Sequence, residues 1–263
     1  MRLQKTTLVY FICLIFIYGC SNGGSEESAN VPRTYQDVEK DFDAINFKTG
    51  INDISLANFR GGKWDFRVIM PNVNLTNNLR PLIITLHGAA GGSPDAHKQT
   101  ACYVETAYAG LNAIIISPNG YVNLWSEAVN QELVLALVDL ATKYLPVDKN
   151  KIVIEGYSNG GNGAWFFAET QPQIFSAAIP SASYYNTTNN SIGRLIKIPV
   201  YAIHGEKDAL FPVADVKRWV DATNASGSKV TLVIAPGLTH PEPCSYVNYM
   251  KGAAEWLVND VWK

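Results

Sequence analysis

Along most of its length the chain switches between two hydrophobic patterns. Lys63–Met70 (KWDFRVIM) alternates apolar and polar residues and stops at Pro71, as a half-buried antiparallel strand does. Residues 82–86, 113–116, 152–154, 200–203 and 230–234 are instead short, continuous, apolar runs. Runs of that kind fit strands covered on both faces, as in a parallel sheet. Between them, residues 130–144 set Leu133, Leu137, Leu140 and Tyr144 at helical spacing ahead of Pro146. Residues 213–223 and 246–261 are further helix candidates. This alternation predicts an α/β chain: a doubly wound, mostly parallel sheet with an antiparallel N-terminal edge. Ligand sites in such sheets lie beyond the carboxyl ends of the strands.

Composition narrows the picture. The chain has 263 residues, of which 47% are hydrophobic and 17% charged, the balance of one globular domain with a core. A net charge of −2 and the absence of any basic cluster exclude a nucleic-acid footprint. At the N-terminus, Arg2 and Lys5 precede an apolar run at 8–18 that is too short to span a membrane. The run ends in Gly19-Cys20, which resembles the lipobox of bacterial lipoproteins. Residues 1–19 are therefore expected to be a lipoprotein signal peptide and Cys20 the lipidated residue. Residues 20–45 are expected to form a tether and N-terminal segment, and residues 46–263 a single domain. This organisation puts the protein in the bacterial cell envelope, lipid-anchored and facing the periplasm or the cell surface; an ordinary cleaved signal peptide is the alternative.

The chemistry gathers at strand ends. The run at 152–154 leads into Gly156-Tyr157-Ser158-Asn159-Gly160-Gly161, with a helix candidate following. This is G-x-S-x-G between a strand and a helix, a turn so tight that it needs small residues on both sides of the serine and lifts its hydroxyl clear of the sheet. A serine hydroxyl needs a general base near neutral pH. Of the four histidines, His87 opens a Gly-rich turn whose backbone N–H groups matter more than its imidazole. His204 precedes a candidate acid, and His97 reads as a surface residue on a helix. His240, in a late loop, is the candidate base. Asp208 follows the strand at 200–203 and is the candidate acid, with Glu206 its nearest competitor. The order Ser158, Asp208, His240 is the one that α/β-hydrolases use. Backbone N–H groups of Ala89 and Asn159 are the expected oxyanion hole.

Residues 80–88 (RPLIITLHG), 117–120 (SPNG), 147–161, 175–178 (FSAA), 204–212 (HGEKDALFP) and 238–241 (LTHP) carry a resemblance. The chain resembles the bacterial polyhydroxybutyrate depolymerase-like and feruloyl-esterase-like α/β-hydrolases. The resemblance implies the same triad, Ser158, Asp208 and His240, with no metal and no organic cofactor. It also implies an ester substrate, in particular acyl or feruloyl groups on plant polysaccharide. Where such proteins often carry paired aspartates, this chain has Asn130-Gln131. The family often places a Trp at the position of Trp125, where it either stacks on substrate or caps the core. Tyr184 and Tyr185 lie in a short polar segment, 181–197, where this fold commonly inserts a lid; they are candidate substrate contacts, and a large lid is not expected. A prolyl-oligopeptidase-type peptidase shares the triad order, and a glycan-binding surface lipoprotein without catalysis is the rival from outside enzymology.

Two cysteines remain after Cys13 and Cys20. Cys102 lies after the Gly-rich turn and Cys244 just after His240, so both border the expected site. They form either a disulfide or two separate buried thiols.

Overall fold

A computed structural model describes residues 32–76 and 78–263; residues 1–31, which include Cys20 and the expected signal peptide, lie outside the described residues. The compact unit runs from Arg33 to Lys263. Its strands are β1 (Gly50–Ala57), β2 (Lys63–Met70), β3 (Arg80–Leu86), β4 (Ile114–Pro118), β5 (Val147–Tyr157), β6 (Ala177–Ser181), β7 (Thr188–Asn189), β8 (Ile192–Gly193), β9 (Val200–Gly205) and β10 (Val230–Ala235). Its helices are α1 (Tyr35–Asp43), α2 (Thr106–Tyr108), α3 (Ala128–Tyr144), α4 (Asn159–Thr170), α5 (Val213–Ala225) and α6 (Val247–Trp256).

Eight strands form one sheet in the order β1-β2-β4-β3-β5-β6-β9-β10. β2 runs antiparallel to both β1 and β4, and the other pairings are parallel. The fold is an α/β-hydrolase fold with an antiparallel N-terminal edge. From β3 the chain moves outward to β4, then crosses back to β5 on the other side of β3. The order therefore reverses between β3 and β5, which opens a crevice at their carboxyl ends.

Alternation along the strands feeds two cores. Leu82, Ile84 and Leu86 face the layer of α1, α3, α4 and α5, with Phe42, Leu137, Trp165 and Val216. Ile83, Val153 and Ile179 face α2 and α6, with Tyr108 and Met250. Because both faces are covered, these strands read as unbroken apolar runs.

Three expectations change. The domain boundary moves from 46 to 33, because α1 buries Val38 and Phe42 in the first core. That helix starts at a capping box in which the Thr34 side chain accepts from the Asp37 N–H and the Asp37 carboxylate accepts from the Thr34 N–H. β2 is not half-buried: residues 64–68 are all buried. Its polar members are paired in place, Arg67 with Asp53 at 2.8 Å and Asp65 with Lys63 at 3.1 Å, with the Tyr121 hydroxyl also donating to Asp65. His97 is buried rather than on the surface.

Candidate active site

Strand β5 ends at Tyr157 and α4 begins at Asn159, so Ser158 alone makes the turn. Its backbone sits at φ 57° and ψ −117°, a region that side-chain-bearing residues rarely adopt. Such strain costs about 1–3 kcal/mol and persists only where the surroundings enforce it. Here the Ser158 N–H donates to the Ser181 carbonyl at 2.9 Å, and the Ser158 carbonyl accepts from the Asn162 N–H at 3.0 Å. The glycines are steric necessities: a Cβ on Gly160 would run into the Leu86 carbonyl, and one on Gly156 into the Gly160 carbonyl.

The three residues dispersed over the second half of the chain meet here. Ser158 Oγ lies 2.9 Å from His240 Nε2, and His240 Nδ1 lies 2.8 Å from Asp208 Oδ2. Asp208 accepts only, so Nδ1 carries the proton and Nε2 is left free to accept from the serine hydroxyl. The other carboxylate oxygen, Oδ1, accepts from the N–H groups of Leu210 and Phe211 at 3.0 and 2.8 Å. Asp208 is 5% exposed and its side chain is fully enclosed, so its charge acts on the imidazole with little screening. The Phe211 ring meets the His240 ring edge-on at 4.7 Å. Glu206 does something else: its carboxylate accepts from the Gly237 N–H at 2.8 Å and ties the acid loop to the base loop.

Ala89 and Asn159 flank the serine with backbone N–H groups that have no backbone acceptor among the described residues. Asn159 is the first residue of α4, so its N–H is free by position and is reinforced by the helix dipole. The Gly-rich loop before Ala89 is held by side chains that chain patterning does not reveal. His87 Nε2 accepts from the Gly120 N–H at 3.0 Å, so Nδ1 carries the proton and donates to the Gly88 carbonyl at 2.6 Å. Burial holds the His87 imidazole below the usual histidine range, which keeps that neutral form. Asn119 donates to the carbonyls of Ser93 and Pro94 at 3.1 and 2.9 Å.

Trp125 is packed into the core beside the site. It is 1% exposed, and its indole N–H donates to the His87 carbonyl at 3.0 Å, bracing the same loop from below. Asn130 explains the missing aspartate: its amide reaches the carbonyls of Gly120, Asn123 and Leu124, each at 3.2 Å. A carboxylate there would set negative charge against those carbonyls with nothing to donate. Tyr184 donates to Asp215 at 2.8 Å and stacks on Phe211, while Tyr185 donates to Glu169 at 2.6 Å. Both line a cavity of about 310 Å³ with Asn159 and Asn162, beside the reacting centre but not reaching Ser158 or His240.

The cleft that holds Ser158 and His240 encloses about 330 Å³, walled by Tyr103, Tyr157, Leu210 and Pro243. A larger groove of about 850 Å³, bordered by Ser176, Lys197, Lys229 and Asp260, lies at the opposite ends of the strands and contains no nucleophile–base pair. Segment 181–197 carries only the two-residue strands β7 and β8 and forms no large lid. Cys102 and Cys244 are joined by a disulfide with a Cα–Cα distance of 5.4 Å, linking the segment under the oxyanion loop to the turn after His240. Among the described residues, no three His, Cys, Asp or Glu side chains cluster as metal ligands would.

Fold and site together define a serine hydrolase. The family model described as the dienelactone hydrolase family matches residues 119–262, over half of the chain, and the chain belongs to that family. No curated protein matches the chain. Among solved structures, a thermostable esterase is similar at 21% identity and a TM-score of 0.67, over 79% of this chain and 62% of that one. This chain thus spans less than two thirds of that esterase's length. The fluorophosphonate-binding serine hydrolase F of Staphylococcus aureus is 18% identical with a TM-score of 0.67, over 81% of this chain and all of that one. An S-formylglutathione hydrolase from Staphylococcus aureus is 20% identical with a TM-score of 0.63, over 82% and 99% of the two chains. At these identities the likeness is one of fold.

Proposed function

We propose that the protein hydrolyses carboxylic esters through an acyl-enzyme formed on Ser158. The observation that carries this is the unbroken relay from Ser158 Oγ through His240 to Asp208, at 2.9 and 2.8 Å. Ser158 Oγ attacks the ester carbonyl as His240 Nε2 takes its proton, and Asp208 stabilises the imidazolium. The tetrahedral oxyanion is held by the N–H groups of Ala89 and Asn159. His240 then gives its proton to the departing alcohol, leaving the acyl group on Ser158. Water, activated by His240, adds to the acyl carbonyl and releases the acid, restoring Ser158.

The substrates we infer are acyl or feruloyl esters of plant polysaccharide, in keeping with the resemblance to feruloyl-esterase-like and polyhydroxybutyrate depolymerase-like hydrolases. The unlidded cleft supports substrates presented on a polymer. We also infer a lipoprotein anchored through Cys20 in the bacterial envelope, with residues 1–19 removed. The Cys102–Cys244 disulfide supports this, since such bonds persist in oxidising compartments.

The test is a panel of p-nitrophenyl esters of increasing chain length with methyl ferulate, acetylated xylan and proline-containing peptides, together with fluorophosphonate labelling and a glycan-binding assay. Turnover lost in Ser158→Ala supports the esterase reading. Hydrolysis of peptides alone favours a peptidase, and glycan binding without labelling favours a binding protein.

A further inference from the structure

The structure assigns Tyr157 as a positioning residue for His240, acting through the backbone of the base; this rests on the proposed roles of Ser158 and His240. Tyr157 is the last residue of β5 and the neighbour of the nucleophile. Its phenol donates to the backbone carbonyl of His240. Its ring is wedged between Tyr103 at 5.9 Å and Tyr246 at 5.5 Å, and leans on the His240 ring at 5.8 Å. Burial pushes the phenol far above the usual tyrosine range, so it remains a donor at any working pH.

His240 needs such a hold. It lies in an irregular stretch between β10 and the short turn Pro243–Tyr246. Its imidazole is bonded to Asp208 and Ser158, but bonds to the ring alone leave the backbone free to shift under it. Among the described residues, Tyr157 is the one side chain that bonds the main chain of His240. The Tyr246 hydroxyl reaches the Thr239 carbonyl at 3.3 Å, and the disulfide joins at Cys244. Both act on neighbours, not on the base itself.

The consequence is geometric. Tyr157 and Ser158 are consecutive at the strand-to-helix turn, and each bonds a different end of His240. The nucleophile and the base therefore move as one frame, and their 2.9 Å separation does not depend on how the rest of the late loop behaves. Productive proton transfer needs this distance held before substrate arrives.

Tyr157→Phe tests the assignment, because it removes the hydroxyl and leaves the ring in its aromatic seat. Turnover is measured on a soluble p-nitrophenyl ester and divided by the number of sites titrated with a fluorophosphonate. The expected result is about a tenfold fall in kcat per titrated site, equivalent to about 1.4 kcal/mol, with KM within about twofold. The rate of fluorophosphonate labelling should fall by a similar factor. A merely structural tyrosine would lower the melting temperature and the fraction of titratable sites while leaving kcat per site unchanged; that result overturns the assignment. A wild-type protein that neither labels nor turns over ester overturns the reading of Ser158 and His240, and this one with it.

Discussion

Replacing both Cys102 and Cys244 by serine removes a cross-link whose ends are 142 residues apart. In the chain-entropy model a loop of that length stabilises the folded state by about 5 kcal/mol, through the freedom it denies the unfolded chain. A compact unit of about 230 residues unfolds with an entropy of about 0.5 kcal/mol/K, so the double variant should melt about 10 °C lower. The effect should also reach the site. The bridge ties the segment carrying Tyr103 to the turn carrying Pro243, and these residues stand on the two walls of the 330 Å³ cleft. Well below its melting temperature the variant should therefore show a raised KM. Differential scanning calorimetry with and without reductant, and ester turnover at 25 °C, check the two parts. Melting within about 2 °C of the wild type would refute the reasoning, because loop closure would then contribute almost nothing to a loop of this length.

Ser158→Ala should abolish ester turnover with little change in melting temperature, since only a small hydroxyl leaves; His240→Ala should lose about as much, because the triad acts as a unit. Asp208→Asn should cost about 10⁴-fold in kcat by disturbing the tautomer of His240. Glu206→Gln, which alters only the tie to the Gly237 N–H, should cost far less, and equal losses would mean that the acid is misassigned. Gly160→Ala should fail to yield folded protein on expression, because the new methyl collides with the Leu86 carbonyl; a soluble, active variant would contradict the packing of the turn. Glu155 is fully buried against Thr85, and burial pushes its carboxyl from 4.5 up to about 8. The folded state then keeps a proton that the unfolded state gives up, so stability should fall as pH rises from about 4.5 to about 8. In Glu155→Gln that pH slope of the melting temperature should flatten, and an unchanged slope would refute the inference.

Much of this molecule is legible in its chain. The inner strands stand out because both faces of the sheet are covered, which makes 82–86 and 152–154 unbroken apolar runs. The turn at Ser158 stands out because part of its sterics is local: a Cβ on Gly156 would meet the Gly160 carbonyl, within the same turn. Helix α1 was missed although its signal is in the chain: the Thr34–Asp37 capping box stands ahead of Val38 and Phe42, one turn apart. β1 hides because only Leu56 of its eight residues is fully buried. What tertiary structure alone decided is everything that depends on which residues meet. Trp125 looks the same in sequence whether it faces substrate or braces His87. Asn130 is a departure from a family habit until three carbonyls converge on it. Cys102 and Cys244 read equally well as two thiols or one bridge. Tyr157 is the unspecified residue of a motif until its hydroxyl finds His240, 83 positions later. Local pattern reports how a residue's own backbone and faces are solvated; it carries no record of partners brought up from distant segments, and those contacts are what set the geometry of the site.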